Sequence, residues 1–234
     1  MSGFSAVIFD LDGTLTDPGS GIAATIRGVL MTLGVKAPAR AELGWCVGPP
    51  LREIFTRLLE PLNQGAPREA AGNGDPVIEG AAMRELVDRA AALYVQQYAQ
   101  TGAAESTVYP GVSEMLTELR AASRLFVATS KNTATAERIL GLCGLRRYFD
   151  HVAGNGRLDD KGDTVRELIE REHLDRAAVA IVGDREHDIV AGKRNGLFTI
   201  GVTYGYGSRE ELKAAGADWI CERPAAVAQF LLSE

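Results

Sequence analysis

Short apolar runs alternate with amphipathic segments along most of this 234-residue chain, and this alternation limits the possible folds more than any other feature. The apolar runs have the length of strands, and the segments between them carry apolar residues at helical spacing. Buried strands that alternate with helices predict a parallel sheet covered by helices on both faces, which is a three-layer α/β fold. The predicted strands are Ala6–Phe9, Leu125–Ala128, His151–Ala153, Val179–Val182, Thr199–Val202 and Trp219–Ile220. The predicted helices between them are Gly111–Ala122, Thr133–Leu142, Asp163–His173, Asp188–Asn195 and Arg209–Ala214.

One stretch, from about Asp17 to Thr107, interrupts the alternation because it contains helical patterns and no convincing strand. Its predicted helices are Ser20–Leu33, Leu51–Leu59 and Glu79–Gln100, and the Gly-, Pro- and Ala-rich segment Asn63–Pro76 predicts a mobile loop between them. We therefore expect an all-helical subdomain, residues 17–107, inserted directly after the first strand of a core formed by residues 1–16 and 108–234.

Composition excludes several classes of function. The net charge is −6 and aromatic residues make up only 6%, which disfavours binding of nucleic-acid polymers. No apolar stretch approaches the roughly 18 residues of a membrane helix, and the N-terminus has no signal-peptide pattern. Three cysteines without CxxC spacing favour a reducing, cytoplasmic location. The sequence leaves monomer and homodimer open.

Two carboxylates, Asp10 and Asp12, follow the first predicted strand. Gly13 permits the chain to curl there, so that both carboxylates and the backbone N–H groups around Gly13 and Thr14 surround one point beyond the sheet. Ligands of open α/β sheets bind at this edge. A DxD pair by itself is more often a solvated turn or a helix cap, so its interpretation depends on the other strand ends.

Three further polar groups follow predicted strands or open predicted helices. The first is Thr129-Ser130-Lys131-Asn132, whose hydroxyls, backbone amides and cation suit an anion, although Thr129 also fits the role of helix N-cap. The second is Lys161, which opens a helix, and the third is the pair Asp184 and Asp188, of which Asp188 also fits a helix cap.

Up to four carboxylates in one crevice, those of Asp10, Asp12, Asp184 and Asp188, require a cation. Oxygen ligands suit Mg²⁺, which shares its coordination sphere with water and a substrate phosphate. Lys131 or Lys161 adds further positive charge. This combination indicates phosphoryl transfer, in which positioning and charge neutralisation supply most of the catalysis.

The order DxDGTL, strand-Thr-Ser-Lys, a lone lysine and GDxxxD resembles the haloacid dehalogenase superfamily over essentially the whole chain. The resemblance implies a Rossmann-like core, an Asp10 nucleophile that forms an aspartyl-phosphate, and Asp12 as general acid/base with its main-chain carbonyl on Mg²⁺. It also implies that Thr129 and Lys161 contact the phosphoryl group. Asp184 would bind Mg²⁺, and Asp188 would bind it directly or through water.

The insertion point resembles the C1 type of cap domain, so substrate would bind between core and cap. Within the insertion, Val47-Gly48-Pro49-Pro50-Leu51-Arg52 resembles the substrate loop of phosphoglycolate phosphatases, which makes Gly48 and Arg52 candidates for substrate recognition. Arg52 also fits an ordinary helix-surface arginine. The segments Gly183–Asp188 and Gly201–Ser208 resemble 5′-nucleotidases instead.

The sequence therefore predicts a Mg²⁺-dependent phosphatase that hydrolyses a small phosphorylated metabolite, phosphoglycolate-like or a nucleoside 5′-monophosphate. A phosphomutase or an inorganic pyrophosphatase on the same scaffold is the first alternative. A catalytically silent protein that binds a phosphate ligand is the second. Residues expected to contact substrate are Gly13, Thr14, Gly48, Arg52, Ser130, Lys131 and Asn132.

Overall fold

The computed structural model describes residues 3–47, 49–63, 80–154 and 160–233. The chain forms two compact units. The core unit contains Met1–Pro18 and Ala103–Glu234, and the inserted unit contains Gly19–Gly102. The role of residues 17–107 as a cap stays a prediction.

Six strands of the core unit form one parallel sheet, and two very short strands pair antiparallel beside it. In chain order the strands are β1 (Ala6–Phe9), β2 (Thr16–Asp17), β3 (Thr107–Val108), β4 (Arg124–Thr129), β5 (His151–Gly154), β6 (Val179–Gly183), β7 (Phe198–Val202) and β8 (Trp219–Cys221). The order in the large sheet is β5-β4-β1-β6-β7-β8. Strand β1 therefore lies at its centre, between β4 and β6.

The helices divide between the two units. The inserted unit contains α1 (Gly19–Thr32), α2 (Leu51–Asn63) and α3 (Ala81–Gln100), and the core unit contains α4 (Val112–Arg120), α5 (Thr133–Leu142), α6 (Lys161–Arg171), α7 (Glu186–Arg194), α8 (Arg209–Ala214) and α9 (Pro224–Ser233). Short 3-10 helices cover Arg40–Cys46, Gly102–Glu105, Arg146–Tyr148 and Arg176–Ala178.

The core unit has three layers because successive residues of β1 point to opposite faces of the sheet. Ala6 and Ile8 belong to a buried cluster that includes apolar side chains of α6 and α7. On the other face, Phe9 meets the edge of Phe149 with ring centroids 6.3 Å apart. Helices α4 and α9 pack against each other, α4 also against β4 and α9 against β8. The predicted three-layer α/β fold is confirmed.

The inserted unit consists of helices and short turns in its described residues. Helix α3 packs against both α1 and α2. Phe55 and Tyr94 meet edge to face at 6.1 Å, and Tyr94 stacks on Tyr98 at 5.4 Å, so aromatic rings join α2 and α3. The predicted mobile loop begins at Asn63, the last residue of α2, and its remainder lies outside the described residues. None of the described helices has the length and apolar character needed to cross a membrane.

Two strands and one helix were absent from the sequence prediction. The β2–β3 pair lies at the boundaries of the insertion, where we expected no strand, and each of its strands has only two residues. Such strands are too short to produce a detectable alternation. Helix α9, with the sequence PAAVAQFLLS, was also missed because it is apolar nearly all round and therefore lacks an amphipathic pattern.

Candidate active site

The carboxyl ends of three neighbouring strands define the candidate active site. Phe9, the last residue of β1, lies opposite Val127 in β4 and Val182 in β6. Asp10 follows β1 directly and donates its backbone N–H to the carbonyl of Val182, at 2.9 Å. The parallel register therefore places Asp10, the end of β4 and the start of the Asp184 loop at one edge of the sheet.

Lys161, the first residue of α6, joins two of the predicted acidic residues. Its Nζ donates hydrogen bonds to Oδ1 of Asp10 and to Oδ1 of Asp188. The side chain of Lys161 is only 8% exposed. Asp160, the N-cap of α6, accepts from the backbone N–H of Gly162 at 2.6 Å and thereby fixes the start of the helix that presents the lysine.

Three carboxylates converge around this lysine. One carboxylate oxygen from each of Asp10, Asp184 and Asp188 lies within 4.8 Å of the others, and all three residues are buried. With all three ionised, the cluster carries three negative charges against the single positive charge of Lys161. A single divalent cation would balance the remaining two, and the all-oxygen donor set suits Mg²⁺. The residues present therefore fit the predicted cation.

Burial explains the electrostatics of the cluster. It raises the pKa of Asp10, and the negative charges of Asp188 and Asp184 add to this effect while Lys161 opposes it. Burial, together with Asp188, raises the pKa of Asp184 to about 7. Burial lowers the pKa of Lys161, but the attraction of Asp10 and Asp188 outweighs it, so this pKa lies above its ordinary value. The lysine remains charged, and the carboxylates favour a state with added positive charge.

Asp184 is held through both of its oxygens. Its Oδ1 accepts from the hydroxyl of Thr14 at 3.3 Å, and its Oδ2 accepts from the backbone N–H of Tyr206 at 2.8 Å. Gly13 has a φ of 87°, and a Cβ there would lie 2.2 Å from Oδ2 of Asp184. The curl expected at Gly13 therefore also makes room for the Asp184 carboxylate.

Asp12 and Lys131 form an ion pair beside this cluster. The Nζ of Lys131 lies 2.6 Å from Oδ2 of Asp12, and the two side chains are 13% and 17% exposed. Oδ1 of Asp12 is buried and has no hydrogen-bond partner among the residues that the structure describes. A buried carboxylate oxygen of this kind is available to a ligand.

The residues at and after the end of β4 take different positions. Thr129 is 2% exposed, and its Oγ1 accepts from the backbone N–H of Lys131 at 3.3 Å. Ser130 is exposed. The N-cap of α5 is Asn132, whose Oδ1 accepts from the backbone N–H of Thr135 at 2.9 Å. The capping role considered for Thr129 therefore belongs to Asn132.

Asp188 stabilises a helix start and also belongs to the acidic cluster. It lies in the first turn of α7, where its Oδ2 accepts from the backbone N–H of Arg185 at 3.0 Å. Its other oxygen, Oδ1, accepts from Lys161. The carboxylate therefore stabilises the start of the helix and contributes to the acidic cluster at the same time.

For the two predicted substrate residues of the insertion, Gly48 and Arg52, the structure describes the surroundings of Arg52 alone. Gly48 lies outside the described residues. Arg52 belongs to α2 of the inserted unit, where its guanidinium forms an ion pair with Asp88 of α3 at 2.6 Å, and its side chain is 73% exposed.

One segment of the site was not predicted. Gly205, Tyr206 and Gly207 lie against the acidic cluster, whereas the sequence indicated only that the surrounding segment, Gly201–Ser208, resembles 5′-nucleotidases. A tyrosine between two glycines soon after a strand is the signal that could have indicated a close backbone approach to the site.

Comparisons with known proteins agree with this geometry. The family described as haloacid dehalogenase-like hydrolase matches residues 7–202. The chain is 33% identical to a 5′-nucleotidase from Pseudomonas aeruginosa over 97% of this chain and 95% of that protein. It is 28% identical to a phosphoglycolate phosphatase from Psychrobacter arcticus, again over 97% and 95%. The crystal structure of a predicted phosphatase from Clostridium acetobutylicum matches all of both chains with a TM-score of 0.84 and 32% identity.

Proposed function

The chain belongs to the haloacid dehalogenase-like hydrolase family and is a phosphoric monoester hydrolase, and we propose that it cleaves a small phosphomonoester with Mg²⁺ through a phosphorylated Asp10. The observation that carries the proposal is the buried cluster of Asp10, Asp184 and Asp188 around Lys161. Such a cluster has too much negative charge to be a structural ion pair, and it lies where α/β sheets bind ligands.

Asp10 acts as the nucleophile in this proposal. One carboxylate oxygen attacks phosphorus, a bond forms between that oxygen and phosphorus, and the bond between phosphorus and the ester oxygen breaks. Lys161, hydrogen-bonded to Oδ1 of Asp10, orients the carboxylate and offsets the charge that develops on the phosphoryl oxygens.

Asp12 acts as the general acid and then as the general base. Its proton passes to the departing ester oxygen in the first step, and it accepts a proton from water as that water attacks the phosphorylated Asp10 in the second. The bond between phosphorus and Asp10 then breaks, which releases inorganic phosphate and regenerates the carboxylate. The unpartnered Oδ1 of Asp12 supports this assignment, since this oxygen can contact the reacting atoms.

The residues that would hold Mg²⁺ are Asp10, Asp184, Asp188 and the main-chain carbonyl of Asp12. When bound, the cation neutralises charge on the phosphoryl oxygens and the carboxylates. The raised pKa of Asp184, about 7, supports this assignment because it reflects a buried carboxylate that lacks a counter-charge.

The phosphoryl group would be held by groups around the ends of β1 and β4. These groups are the hydroxyl of Thr129, the backbone around Gly13 and Thr14, and the residues Ser130, Lys131 and Asn132. Lys131 has a second role here, because its pairing with Asp12 also orients the acid/base. The exposed Ser130 and the capping Asn132 would contribute mainly through the start of α5.

The substrate class rests on the relatives and on the inserted unit. Proteins named 5′-nucleotidase and phosphoglycolate phosphatase are both similar to this chain, which supports a nucleoside 5′-monophosphate or a phosphoglycolate-like ester. We propose that the inserted unit serves as a cap and that Gly48 and Arg52 contact the part of the substrate remote from phosphorus.

A phosphate-release screen with Mg²⁺ tests the proposal. The substrates are phosphoglycolate, nucleoside monophosphates, sugar phosphates, phosphotyrosine and pyrophosphate, with an aryl phosphate as reference. Asp10→Asn should abolish phosphate release. Asp150→Asn is the control and should leave release unchanged, because Asp150 precedes β5 and its carboxylate pairs with Arg120. Full activity of Asp10→Asn would refute the mechanism.

The same screen separates the alternatives. An isomeric phosphate in place of inorganic phosphate would identify a phosphomutase, and turnover of pyrophosphate alone would identify a pyrophosphatase. Ligand-dependent changes in the melting temperature without any turnover would identify a silent binding protein.

A further inference from the structure

The segment Gly205–Gly207 follows β7 and lies against the acidic cluster. At Gly205 and Gly207 its backbone comes closer to neighbouring atoms than a side chain at either position would permit. A Cβ on Gly205 would lie 2.2 Å from the carbonyl oxygen of Gly13, and a Cβ on Gly207 would lie 1.8 Å from the carbonyl oxygen of Asp184. Between them, the backbone N–H of Tyr206 donates to Oδ2 of Asp184 at 2.8 Å. The segment therefore bridges the Asp10–Gly13 turn and the Asp184 loop.

Two flanking glycines leave the backbone of Tyr206 with unusual conformational freedom, so the position of its N–H depends on another anchor. The side chain of Tyr206 supplies one. Its hydroxyl donates a hydrogen bond to Oδ1 of Asp17, the last residue of β2, and Asp17 is in register with Thr107 of β3. Tyr206 therefore ties Asp184 to the β2–β3 pair, 189 residues away in sequence from its own position.

We propose that Tyr206 is a positioning residue for Mg²⁺ binding: its hydroxyl, anchored on Asp17, fixes the backbone N–H that orients the carboxylate of Asp184. The inference rests on the proposed function, since it assumes that Asp184 is a ligand of the cation. Removal of a group that orients a metal ligand typically lowers metal affinity by about 10–100-fold. Loss of the contact between Tyr206 and Asp17 should therefore weaken Mg²⁺ binding to about this extent.

The substitution Tyr206→Phe removes only the hydroxyl and keeps the ring in place. The dissociation constant for Mg²⁺ is measured without substrate, from the rise of the unfolding temperature with Mg²⁺ concentration. We expect Tyr206→Phe to weaken Mg²⁺ binding by about tenfold. The value of kcat should fall at low Mg²⁺ and recover at saturating Mg²⁺, while KM for the phosphomonoester changes little.

Asp17 provides the second arm of the experiment. Asp17→Ala should weaken Mg²⁺ binding to the same extent as Tyr206→Phe, and the double variant should be no weaker than either single variant. Asp17→Asn retains an acceptor oxygen for the tyrosine hydroxyl and should bind Mg²⁺ within about twofold of the unmodified protein. These two variants keep the inference testable if Tyr206→Phe does not fold.

Tyr148→Phe is the matched control, because Tyr148 precedes β5 at the opposite end of the sheet, where its hydroxyl bonds with Thr117. It should bind Mg²⁺ normally. Mg²⁺ affinity of Tyr206→Phe within twofold of the unmodified protein would overturn the inference, as would losses that multiply in the double variant. Asp184→Asn tests the metal site independently of Tyr206. If it binds Mg²⁺ normally, the proposed metal site itself is wrong. If only Tyr206→Phe binds normally, the metal site stands and the positioning role fails.

Discussion

Asp184→Asn should stabilise the metal-free protein at pH 8 while abolishing its activity. Asp184 is fully buried, and burial together with the charge of Asp188 raises its pKa from 3.8 to about 7. The difference corresponds to about 4 kcal/mol at 1.36 kcal/mol per pKa unit. Asparagine has nearly the shape of the protonated carboxyl group, and its amide can donate to the neighbouring carboxylates.

The direction with pH follows from proton linkage. Because its pKa is raised on folding, Asp184 binds a proton more tightly in the folded chain than in the unfolded chain. Its contribution to stability is present below about pH 4 and is lost as the pH rises from about 4 to about 7. Asparagine does not titrate, so the free energy of unfolding of Asp184→Asn should not show this loss.

Urea unfolding in EDTA measures the effect. At pH 4 the two proteins should differ little, and at pH 8 Asp184→Asn should be the more stable by about 4 kcal/mol. Comparing the two proteins cancels the contributions of other titrating groups. Saturating Mg²⁺ should reverse the order, because only the unmodified protein gains stability from the cation. A variant that is less stable than the unmodified protein at pH 8 in EDTA would refute the reasoning.

Three further predictions address the same site. Lys161→Met leaves the buried carboxylates without their cation and should lower the stability of the metal-free protein at pH 8 by about 3–5 kcal/mol in urea unfolding. Gly13→Ala combines a φ of 87° with a clash against Asp184 and should destabilise the protein by about 2–4 kcal/mol and weaken Mg²⁺ binding in thermal titrations. Lys131→Met removes the partner of Asp12 and should lower kcat for phosphate release by about tenfold, measured at saturating substrate.

Each of these predictions has a control within the chain. Lys193→Met removes a half-exposed lysine paired with Asp218 and should change stability by no more than about 1 kcal/mol. Gly34→Ala shares the positive φ, 73°, but its Cβ would meet nothing within 4 Å, so it isolates the backbone strain of about 1–2 kcal/mol. Equal losses at Gly13 and Gly34 would contradict the clash, and an unchanged kcat for Lys131→Met would contradict the role of its ion pair.

The fold and the gathering of acidic side chains at one edge of the sheet could be predicted because both depend on local patterns. An apolar run that ends in Asp10 is visible in the sequence, and so is the glycine that turns the chain after it. The partners of each residue could not be predicted in the same way. Which lysine pairs with which aspartate depends on the order of the strands. The residue pattern alone left open whether Lys131 or Lys161 supplies the positive charge, and only the family resemblance placed Lys161 at the phosphoryl group. The structure assigns Lys131 to Asp12 and Lys161 to Asp10.

The contact between Tyr206 and Asp17 shows the same limit more clearly. It joins a turn after β7 to a two-residue strand at the start of the insertion, and neither element has a periodic pattern. Polar contacts across such sequence distances are specified only by the packed sheet, so no local rule finds them. The assignment of the α5 cap to Asn132 and not to Thr129 is a smaller case, decided by where β4 ends.

The charge of the cluster links the stability of the core unit to its function. Three buried carboxylates and one lysine leave an excess of negative charge. Burial first, and the neighbouring carboxylates in addition, raise the pKa of Asp10 and of Asp184. A structural site would gain by replacing one carboxylate with an apolar or amide side chain. Retaining all three makes sense if a divalent cation completes the site. The low polarity of the buried site penalises carboxylates without a counter-charge, but it also strengthens their attraction to a bound cation. Metal binding should therefore stabilise the fold at neutral pH, and the same cation would make the crevice attractive to a phosphate ester that the net charge of −6 alone would repel.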